Sequence, residues 1–390
     1  MDGNEIPHLG AGVNQSGVRA HNERLILTLI QRHGAMAGSD IAKRTDLSAQ
    51  TVSNILRKLE TEGFLMRGAP QRGRVGKPSV PMTLDPDGAL SFGMKIGRRS
   101  SDLAVMNLHG EILGQSQITY RYPMPSQIFG YLRDGMAALA RPLSPRQRER
   151  LCGIGIAAPF EIWSWLEPLG APSEMEIWRG IDFGAEIRRF SDLPLFTLND
   201  ATAACRAEHV FGRGRQFRDF AYFYLGSFIG GGVVMNGSVV EGAARNAGAF
   251  GSLRSTGEDG VERSLIETAS IYLLEAEIAA AGGDTGALWR LPQDWSGFGA
   301  SLDAWVGQSA GEIAKAARQA CAVIDFETVL IDGAFPEAVR ADLVTRTRAA
   351  LARLDFRGLV VPRIEAAAVG VNARVTGAAA APIYAQFFLN

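Results

Sequence analysis

The sequence predicts an α/β protein in which a small helical module precedes a larger body of mixed strands and helices. From Leu90 to Ala366, short apolar runs typical of strands alternate with segments whose apolar residues recur at helical spacing. From Asn22 to Leu59, only the helical spacing occurs. A chain of 390 residues with 46% hydrophobic and 21% charged residues has room for two or three domains, each with its own core.

Charge is divided unevenly along the chain. Between Arg19 and Leu84 there are 11 Lys and Arg against 5 Asp and Glu, a net charge of +6, whereas the remainder carries −7. This division points to a polyanionic partner for the first part only. No apolar run reaches the ~18 residues that a membrane helix needs, and the N-terminus lacks a signal pattern. With only three scattered cysteines, the chain is predicted to be cytoplasmic and to have no membrane partner.

The basic module has the pattern of a helix-turn-helix. A polar, glycine-containing tail is expected over residues 1–20, followed by a helix over Asn22–His33. Ser39 is the predicted cap of a second helix that ends at Thr45. Ser48 is the predicted cap of a third helix that ends at Leu59 and carries a regular apolar stripe. Three short helices with a tight turn before the third are typical of a DNA-binding domain, here predicted over residues 21–84.

The face of the third helix opposite its apolar stripe is rich in hydrogen-bond donors. Such side chains bind base edges and phosphates in a major groove. Two predicted strands, Phe64–Met66 and Val80–Leu84, would form a wing with a basic tip suited to the DNA backbone or minor groove. We therefore predict double-stranded DNA as a partner; the alternative is a module that mediates only protein contacts. The predicted DNA-binding residues are Gln50, Thr51, Ser53, Asn54, Arg57, Lys58, Arg72, Arg74 and Lys77.

A second set of signals lies in the middle of the chain. The apolar strand Leu195–Leu198 ends on the polar pair Asn199-Asp200, which precedes a helical segment. A carboxylate at the end of a strand is a common ligand position in α/β folds, although such a pair is also a common helix cap. The segment Gly226–Gly232 is predicted to be a glycine-rich turn, and Asn236-Gly237 a hairpin turn.

The order of these signals resembles the ROK family of sugar kinases and repressors. The resemblance covers nearly the whole chain and rests on NDATAA at Asn199–Ala204, LGSFIGGG at Leu225–Gly232 and NAGAFGS at Asn246–Ser252. The run TVSNILRKLETEG at Thr51–Gly63 is similar to the winged helix of ROK repressors, which the family's kinases generally lack.

The resemblance implies a winged helix-turn-helix followed by a two-lobed, actin-like ATPase (ribonuclease H-like) sugar-kinase fold over residues 85–390. The first lobe is expected to comprise about 88–197 together with the C-terminal helix 370–390. The second lobe is expected to comprise about 198–369. A homodimer or homotetramer is expected.

The phosphate loop of the family's kinases is altered in this chain. Where the kinases read roughly DIGGTK, this sequence reads KIGRRS, so that Lys95 replaces the carboxylate and Arg98 a glycine. Phosphoryl transfer depends on charge neutralisation around Mg²⁺, for which this loop is unsuited. A bulkier turn, Ala334-Phe335-Pro336, also replaces the family's adenosine-side glycines. We therefore predict no catalytic residues, no kinase activity and no cofactor; Arg98 and Arg99 either bind an anion or form a solvated pair.

The resemblance also implies a carbohydrate effector site. In the family, the Asn-Asp pair binds sugar hydroxyls, and the Asp is also the base of the kinases. Two family ligands are replaced, a glutamate by Ala249 and a zinc- and sugar-binding histidine by Ser252. Because Ser255–Ser270 contains no Cys or His, no metal site is predicted. Glu267 is offset from the family position and could equally be a cap or surface residue. The predicted effector-binding residues are Pro159, Trp178, Asn199, Asp200, Asn246 and Glu267.

These expectations together describe a regulator, most simply a repressor, of genes for carbohydrate uptake or catabolism. Its winged helix would bind an operator, and its cleft a sugar or sugar derivative. Two alternatives remain at this stage. One is an ATP-dependent sugar kinase with an appended DNA-binding domain, and the other is a constitutive DNA-binding protein whose body only mediates dimerisation.

Overall fold

The structure is a computed structural model of the 390-residue chain that describes residues 15–69, 80–163, 172–257 and 259–389. The chain forms two compact units. The smaller comprises the residues up to Ala89 together with Asn107–His109 and Ile383–Asn390, and the larger comprises Leu90–Met106 and Gly110–Pro382.

The smaller unit is a winged helix-turn-helix, as predicted. Its elements are the helices α1 (Gln15–His33), α2 (Gly38–Thr45) and α3 (Ala49–Thr61) and the strands β1 (Leu65–Arg67) and β2 (Met82–Leu84). The two strands pair antiparallel to form the wing. Apolar residues of all three helices are buried, because the helical spacing of those residues puts them on the inner faces. They include Ile26, Ile30, Ile41, Val52 and Leu59.

Two local predictions in this unit are wrong and one is confirmed. Helix α1 begins at Gln15, so that residues 15–20 are helical rather than part of a tail. The N-cap of α2 is Ala37 and not Ser39, because the helix already begins at Gly38. Ser48 does cap α3, since its Oγ accepts a hydrogen bond from the Thr51 amide at 3.1 Å. The wing tip, with Arg72, Arg74 and Lys77, lies outside the described residues.

The last residues of the chain pack within the same unit as the winged helix. Arg24 Nε donates to the Phe388 carbonyl oxygen at 2.8 Å, and the Leu389 amide donates to Thr28 Oγ1 at 2.9 Å. The rings of Phe64 and Phe387 lie 4.9 Å apart. The assignment of all of 370–390 to the first lobe is therefore corrected, because Ile383 and the residues after it belong to the smaller unit.

The larger unit contains two five-stranded sheets. The first consists of β3 (Leu90–Ile96), β4 (Ser100–Asn107), β5 (Ile112–Thr119), β6 (Leu151–Ala158) and β7 (Leu195–Asn199), in the order β5-β4-β3-β6-β7. Residue Asn107 of β4 falls in the smaller unit. Strands β6 and β7 extend the sheet from β3 in parallel, whereas β4 and β5 pair antiparallel.

The second sheet repeats this arrangement. Its strands are β8 (Phe220–Leu225), β9 (Ile229–Met235) and β10 (Ser238–Val240), then, after the hairpin of β11 (Arg254–Thr256) and β12 (Glu262–Ser264), β13 (Thr328–Gly333) and β14 (Arg363–Ala366). The order is β10-β9-β8-β13-β14, with an antiparallel meander on one side and two parallel strands on the other. Two lobes with one topology confirm the predicted two-lobed fold.

Helices complete the two lobes. They are α4 (Pro125–Ala140), α5 (Pro145–Glu149), α6 (Phe183–Arg188), α7 (Asp200–Phe211), α8 (Ile266–Ala269), α9 (Ile271–Ala280), α10 (Gly299–Val323), α11 (Glu337–Leu351) and α12 (Ala373–Phe387). Within the described part of the chain, no helix has both the length and the apolarity to span a membrane.

Gly226 lies in the turn between β8 and β9, as predicted, whereas Gly230, Gly231 and Gly232 lie inside strand β9. A Cβ atom on Gly231 would overlap the Phe250 ring, and one on Gly232 would overlap the Cβ of Cys205 on α7. These glycines therefore serve close packing between the strand and its neighbours rather than turn geometry. The Asn236-Gly237 hairpin is confirmed, with φ values of 52° and 68° in the left-handed region.

Helix α12 approaches its neighbours closely through small residues. A Cβ atom on Gly377 would overlap the carbonyl oxygen of Ala203 on α7. Added Cβ atoms on Gly93 of β3 and Gly155 of β6 would overlap the backbone at Ala379 and Ala378 of α12. Helix α12 therefore lies directly on the first sheet and against α7, with no space between the backbones.

This packing predicts opposite effects for two glycine substitutions in helices. Gly377→Ala is expected to destabilise the protein by about 3 kcal/mol, because the added methyl group must displace backbone. Gly311→Ala in α10, where an added Cβ would have no atom within 4 Å, is expected to stabilise by up to about 1 kcal/mol. Urea denaturation of both variants measures the difference, and equal stabilities would contradict the packing argument.

Candidate ligand-binding cleft and nucleic-acid interface

The outer face of α3 presents polar side chains to solvent. Gln50, Ser53, Asn54 and Arg57 are exposed, and Gln50 Nε2 donates to Asn54 Oδ1 at 3.2 Å. The Arg57 guanidinium forms no ion pair with any described residue. Four of the predicted DNA-binding residues therefore lie together on one accessible face, where their donors and acceptors are available to a duplex.

Two other predicted DNA-binding residues of α3 are engaged inside the module. Thr51 is half-buried, with its Oγ1 2.8 Å from Ser48 Oγ. Lys58 Nζ lies 2.7 Å from a Glu23 carboxylate oxygen on α1 and 3.6 Å from Glu62, and the Glu23 hydrogen bond raises the pKa of Lys58. Lys58 therefore joins α3 to α1, and its exposed side chain remains a predicted DNA-binding residue.

A cleft of about 300 Å³ lies in the larger unit, where the ends of β6 and β7 meet the start of α7 and the start of β9. Four of the six predicted effector residues line it. They are Pro159, Asn199, Asp200 and Asn246. Ala249 and Ser252, which were expected to replace sugar ligands of the family, also line the cleft, as does Arg98.

The two asparagines of the cleft are held by hydrogen bonds. Asn199 Oδ1 caps α7 by accepting from the Ala201 amide at 2.9 Å and the Thr202 amide at 3.2 Å. Its Nδ2 donates to Asn246 Oδ1 at 3.4 Å. The predicted alternatives of helix cap and ligand residue are thus compatible, because the cap fixes the amide at the cleft surface. The amide nitrogen of Asn246 is left to donate to a ligand hydroxyl.

Asp200 forms an ion pair with an arginine that belongs to none of the sequence motifs. Arg374 Nη1 of α12 lies 3.2 Å from Asp200 Oδ2, and its guanidinium lies 4.9 Å from the Tyr224 ring centroid. This ion pair occupies one oxygen of the carboxylate that would serve as the base in a kinase. Arg374 could have been found because it is the only charged residue after Glu365, and an isolated charge in an apolar helix requires a partner.

Lys95, which was expected at the position of the kinase carboxylate, forms an internal ion pair. Lys95 Nζ lies 2.7 Å from Asp102 Oδ2 of β4, and both side chains are less than 10% exposed. The same ammonium donates to Ser100 Oγ at 2.8 Å. Burial lowers the pKa of Lys95 to about 8 against the opposing effect of Asp102. In the ranges that the structure covers, no group of three or more Asp, Glu, His or Cys side chains could hold a metal ion.

The two arginines of the altered loop have separate environments. Arg99 Nε lies 2.8 Å from Glu275 Oε1 of α9, and its Nη1 donates to the Arg121 carbonyl oxygen at 2.6 Å. The Arg98 guanidinium lies 4.0 Å from the Phe228 ring centroid, with a buried Nε that has no hydrogen-bond acceptor. They therefore do not form a solvated pair.

The turn that replaces the family's adenosine-side glycines is filled by aromatic side chains. Phe335 is 3% exposed, and its ring lies 6.1 Å from that of Trp295 and 6.3 Å from that of Trp305. An aromatic cluster in this position occupies space next to the end of β13.

Two predicted effector residues do not line the cleft, and these assignments are corrected. Trp178 is 2% exposed in the core of the first lobe, where its Nε1 donates to the Pro123 carbonyl oxygen at 2.7 Å. Glu267 is exposed and accepts hydrogen bonds from the amide and hydroxyl of Ser264 at 2.7 and 2.6 Å. Trp178 is needed for packing, and Glu267 is a local cap.

The Lys95–Asp102 pair predicts a non-additive effect on stability. Asp102→Asn alone is expected to cost about 3 kcal/mol, because it leaves a buried ammonium without its counterion. The double variant Lys95→Met/Asp102→Asn is expected to recover most of that loss, since the new amide oxygen would keep the hydrogen bond that Gln117 now donates to Asp102 at 2.7 Å. Urea denaturation tests this, and a double variant no more stable than the single one would refute the pairing.

Comparison with known proteins agrees with both units. Residues 21–71 match the MarR family, and residues 91–261 match the ROK family. The chain is 23% identical over 374 residues to the uncharacterized protein y4fQ of Sinorhizobium fredii, covering 94% of this chain and 92% of that protein. It is 22% identical over 248 residues to a xylose repressor of Caldicellulosiruptor bescii, covering 64% of this chain and 62% of the repressor.

Among solved structures, the fold is similar to that of a ROK family transcriptional regulator homologous to the E. coli MLC protein. The TM-score is 0.67 at 18% sequence identity, covering 95% of this chain and 97% of the other. The family match, the arrangement of the two lobes and the glycine-containing motifs agree. Over residues 91–261 the chain is therefore similar to the ROK family.

Proposed function

We propose that this protein is a sugar-responsive transcriptional regulator, acting as a repressor of genes for carbohydrate uptake or catabolism. One observation carries the proposal: a winged helix with an exposed donor face is joined in one chain to a ROK-like body in which Lys95, expected at the position of the kinase carboxylate, is paired with Asp102. The names of relatives such as the xylose repressor support the same conclusion.

The winged helix would bind an operator through α3. Gln50, Ser53, Asn54 and Arg57 would contact base edges and phosphates, with Thr51 at the start of the helix and Arg72, Arg74 and Lys77 of the wing on the backbone. A homodimer or homotetramer would place two such helices on operator half-sites. The protein would act in the cytoplasm, where the DNA is.

The cleft would bind the carbohydrate effector. Asn199 and Asn246 present amides that match sugar hydroxyls, and the Asp200 carboxylate has acceptor capacity beyond its contact with Arg374. Pro159 contributes to the wall of the cleft. Effector and operator binding would be linked through a coupling free energy of about 1–3 kcal/mol. An effector that favours the form with weaker operator affinity would then release the DNA.

A sugar kinase with an appended DNA-binding module is the second candidate, favoured by Asp200 at the cleft and by the close-packed glycines of β9. Three contacts weigh against it. The base position is ion-paired with Arg374, the metal-side carboxylate is replaced by the paired Lys95, and Phe335 fills the turn next to β13.

The DNA-binding proposal is tested by titrating a duplex from upstream of the protein's own gene in a gel-shift assay. Arg57→Gln is expected to weaken binding by about 10- to 100-fold, because a base or phosphate contact is worth about 1–3 kcal/mol. Arg133→Gln, which removes an exposed arginine of α4 in the larger unit, is the control and is expected to bind like the wild type. The proposal would be contradicted if wild type, Arg57→Gln and Arg133→Gln bound the duplex with equal affinity, or if the wild type did not bind it at moderate salt.

A coupled ADP-release assay across hexoses, hexosamines, pentoses and polyols distinguishes the sugar kinase from a regulator without kinase activity. We expect no sugar-dependent ADP release from the wild type. Asp200→Asn is expected to reduce a sugar-induced rise in melting temperature without changing the ADP signal. Sugar-dependent turnover that Asp200→Asn abolishes would establish the enzyme and overturn the regulator without kinase activity.

A further inference from the structure

We propose that the effector is a carbohydrate that carries a negative charge, as a carboxylate or a phosphate, and that Arg98 binds this group. The inference rests on the proposed function in one respect, since it takes the cleft as the effector site. It adds the chemical class of the ligand and the residue that selects it.

Arg98 lies on the turn between β3 and β4 and contributes to the cleft wall. Its guanidinium is fixed over the Phe228 ring at 4.0 Å from the centroid, a contact between a cation and the face of an aromatic ring. Its Nε is buried and has no acceptor, and in the described ranges the side chain forms no hydrogen bond or ion pair. The arginine is therefore held in place by an apolar contact while its donors remain unused.

A half-buried cation without a counterion is costly. Burial, followed by the charges of Arg374 and Arg99, lowers the pKa of Arg98 to about 10 even though Asp200 acts in the opposite direction. At neutral pH the guanidinium is still charged. An anion that entered the cleft would supply the missing acceptor and the missing charge together.

The carboxylates around the cleft do not supply that anion. Asp200 is paired with Arg374 at 3.2 Å, and Glu275 with Arg99 at 2.8 Å. Glu161 also lines the cleft but is exposed. Asp200 and Glu275 are thus occupied by other arginines, and a counterion for Arg98 would come with the ligand.

The remaining lining residues indicate what the anion is attached to. The amides of Asn199 and Asn246 suit hydroxyl groups, and a cavity of about 300 Å³ is at the small end for ligand sites. A monosaccharide acid or a monosaccharide phosphate combines hydroxyls and one anionic group in such a volume. Both offer the same chemistry to Arg98, namely oxygen acceptors with a negative charge.

The test measures binding by calorimetry and thermal shift with matched pairs at constant ionic strength: each of several hexoses and pentoses with its aldonate, its uronate where one exists, and its terminal phosphate. Inorganic phosphate serves as a probe that does not depend on sugar stereochemistry. Wild type is compared with Arg98→Gln, with Arg98→Lys, which keeps the charge, and with Arg179→Gln, an exposed control outside the cleft.

We expect at least one charged carbohydrate to bind wild type about 10- to 100-fold more tightly than its neutral counterpart, the size of a charge-assisted hydrogen bond. Arg98→Gln should lose this preference and the stabilisation by inorganic phosphate, Arg98→Lys should keep part of both, and Arg179→Gln should keep all. A preference for phosphates or for acids identifies the source of the anion.

Two different failures can be told apart. Neutral sugars that bind as well as their charged forms, with no change in Arg98→Gln, would overturn this inference and leave the sugar-responsive regulator standing. If no carbohydrate binds and inorganic phosphate stabilises wild type and Arg98→Gln equally, the inference fails together with the effector part of the proposed function.

Discussion

The larger unit depends on the direct contact between the backbones of α12, α7 and the first sheet. Gly377 lies against Ala203, and Gly93 and Gly155 lie against α12, at separations that leave no space for a side chain. This contact fixes the position of α12, and with it the position of Arg374, which lies one turn before Gly377. The ion pair between Arg374 and Asp200 at the cleft is therefore a consequence of packing between small residues.

Three basic residues at the end of β3 and on the turn after it illustrate how burial and neighbouring charge decide the role of a cation. Lys95 is neutralised by Asp102 within the first sheet, and Arg99 by Glu275 of α9. Only Arg98 faces the cleft without a counterion in the described part of the chain. Among the described residues of this turn, the charge that reaches the cleft is that of the Arg98 guanidinium.

Sequence patterns correctly predicted those features of the structure that depend on residues close together in the chain. The Ser48 cap, the Asn236-Gly237 hairpin and the apolar stripe of α3 follow from short-range chemistry, and the structure confirms them. The motifs also located most of the cleft, because Asn199, Asp200 and Asn246 lie on elements that converge there.

The misplaced residues are those whose role is set by contacts distant in sequence. The packing of Gly231 against Phe250 and the burial of Trp178 beneath Pro123 depend on tertiary structure that no local pattern encodes. The ion pair between Lys58 and Glu23 is also a contact distant in sequence. The sequence of α3 alone does not show which of its charged side chains will pair with a residue of α1.

The buried pair of Lys95 and Asp102 bears on what determines how much ligand the cleft holds. Without phosphoryl transfer, as proposed here, the cleft would leave a bound sugar chemically intact, so that its occupancy would be set only by ligand concentration and affinity. It would then report the standing level of a metabolite rather than the flux through a pathway, and it would empty when that level falls.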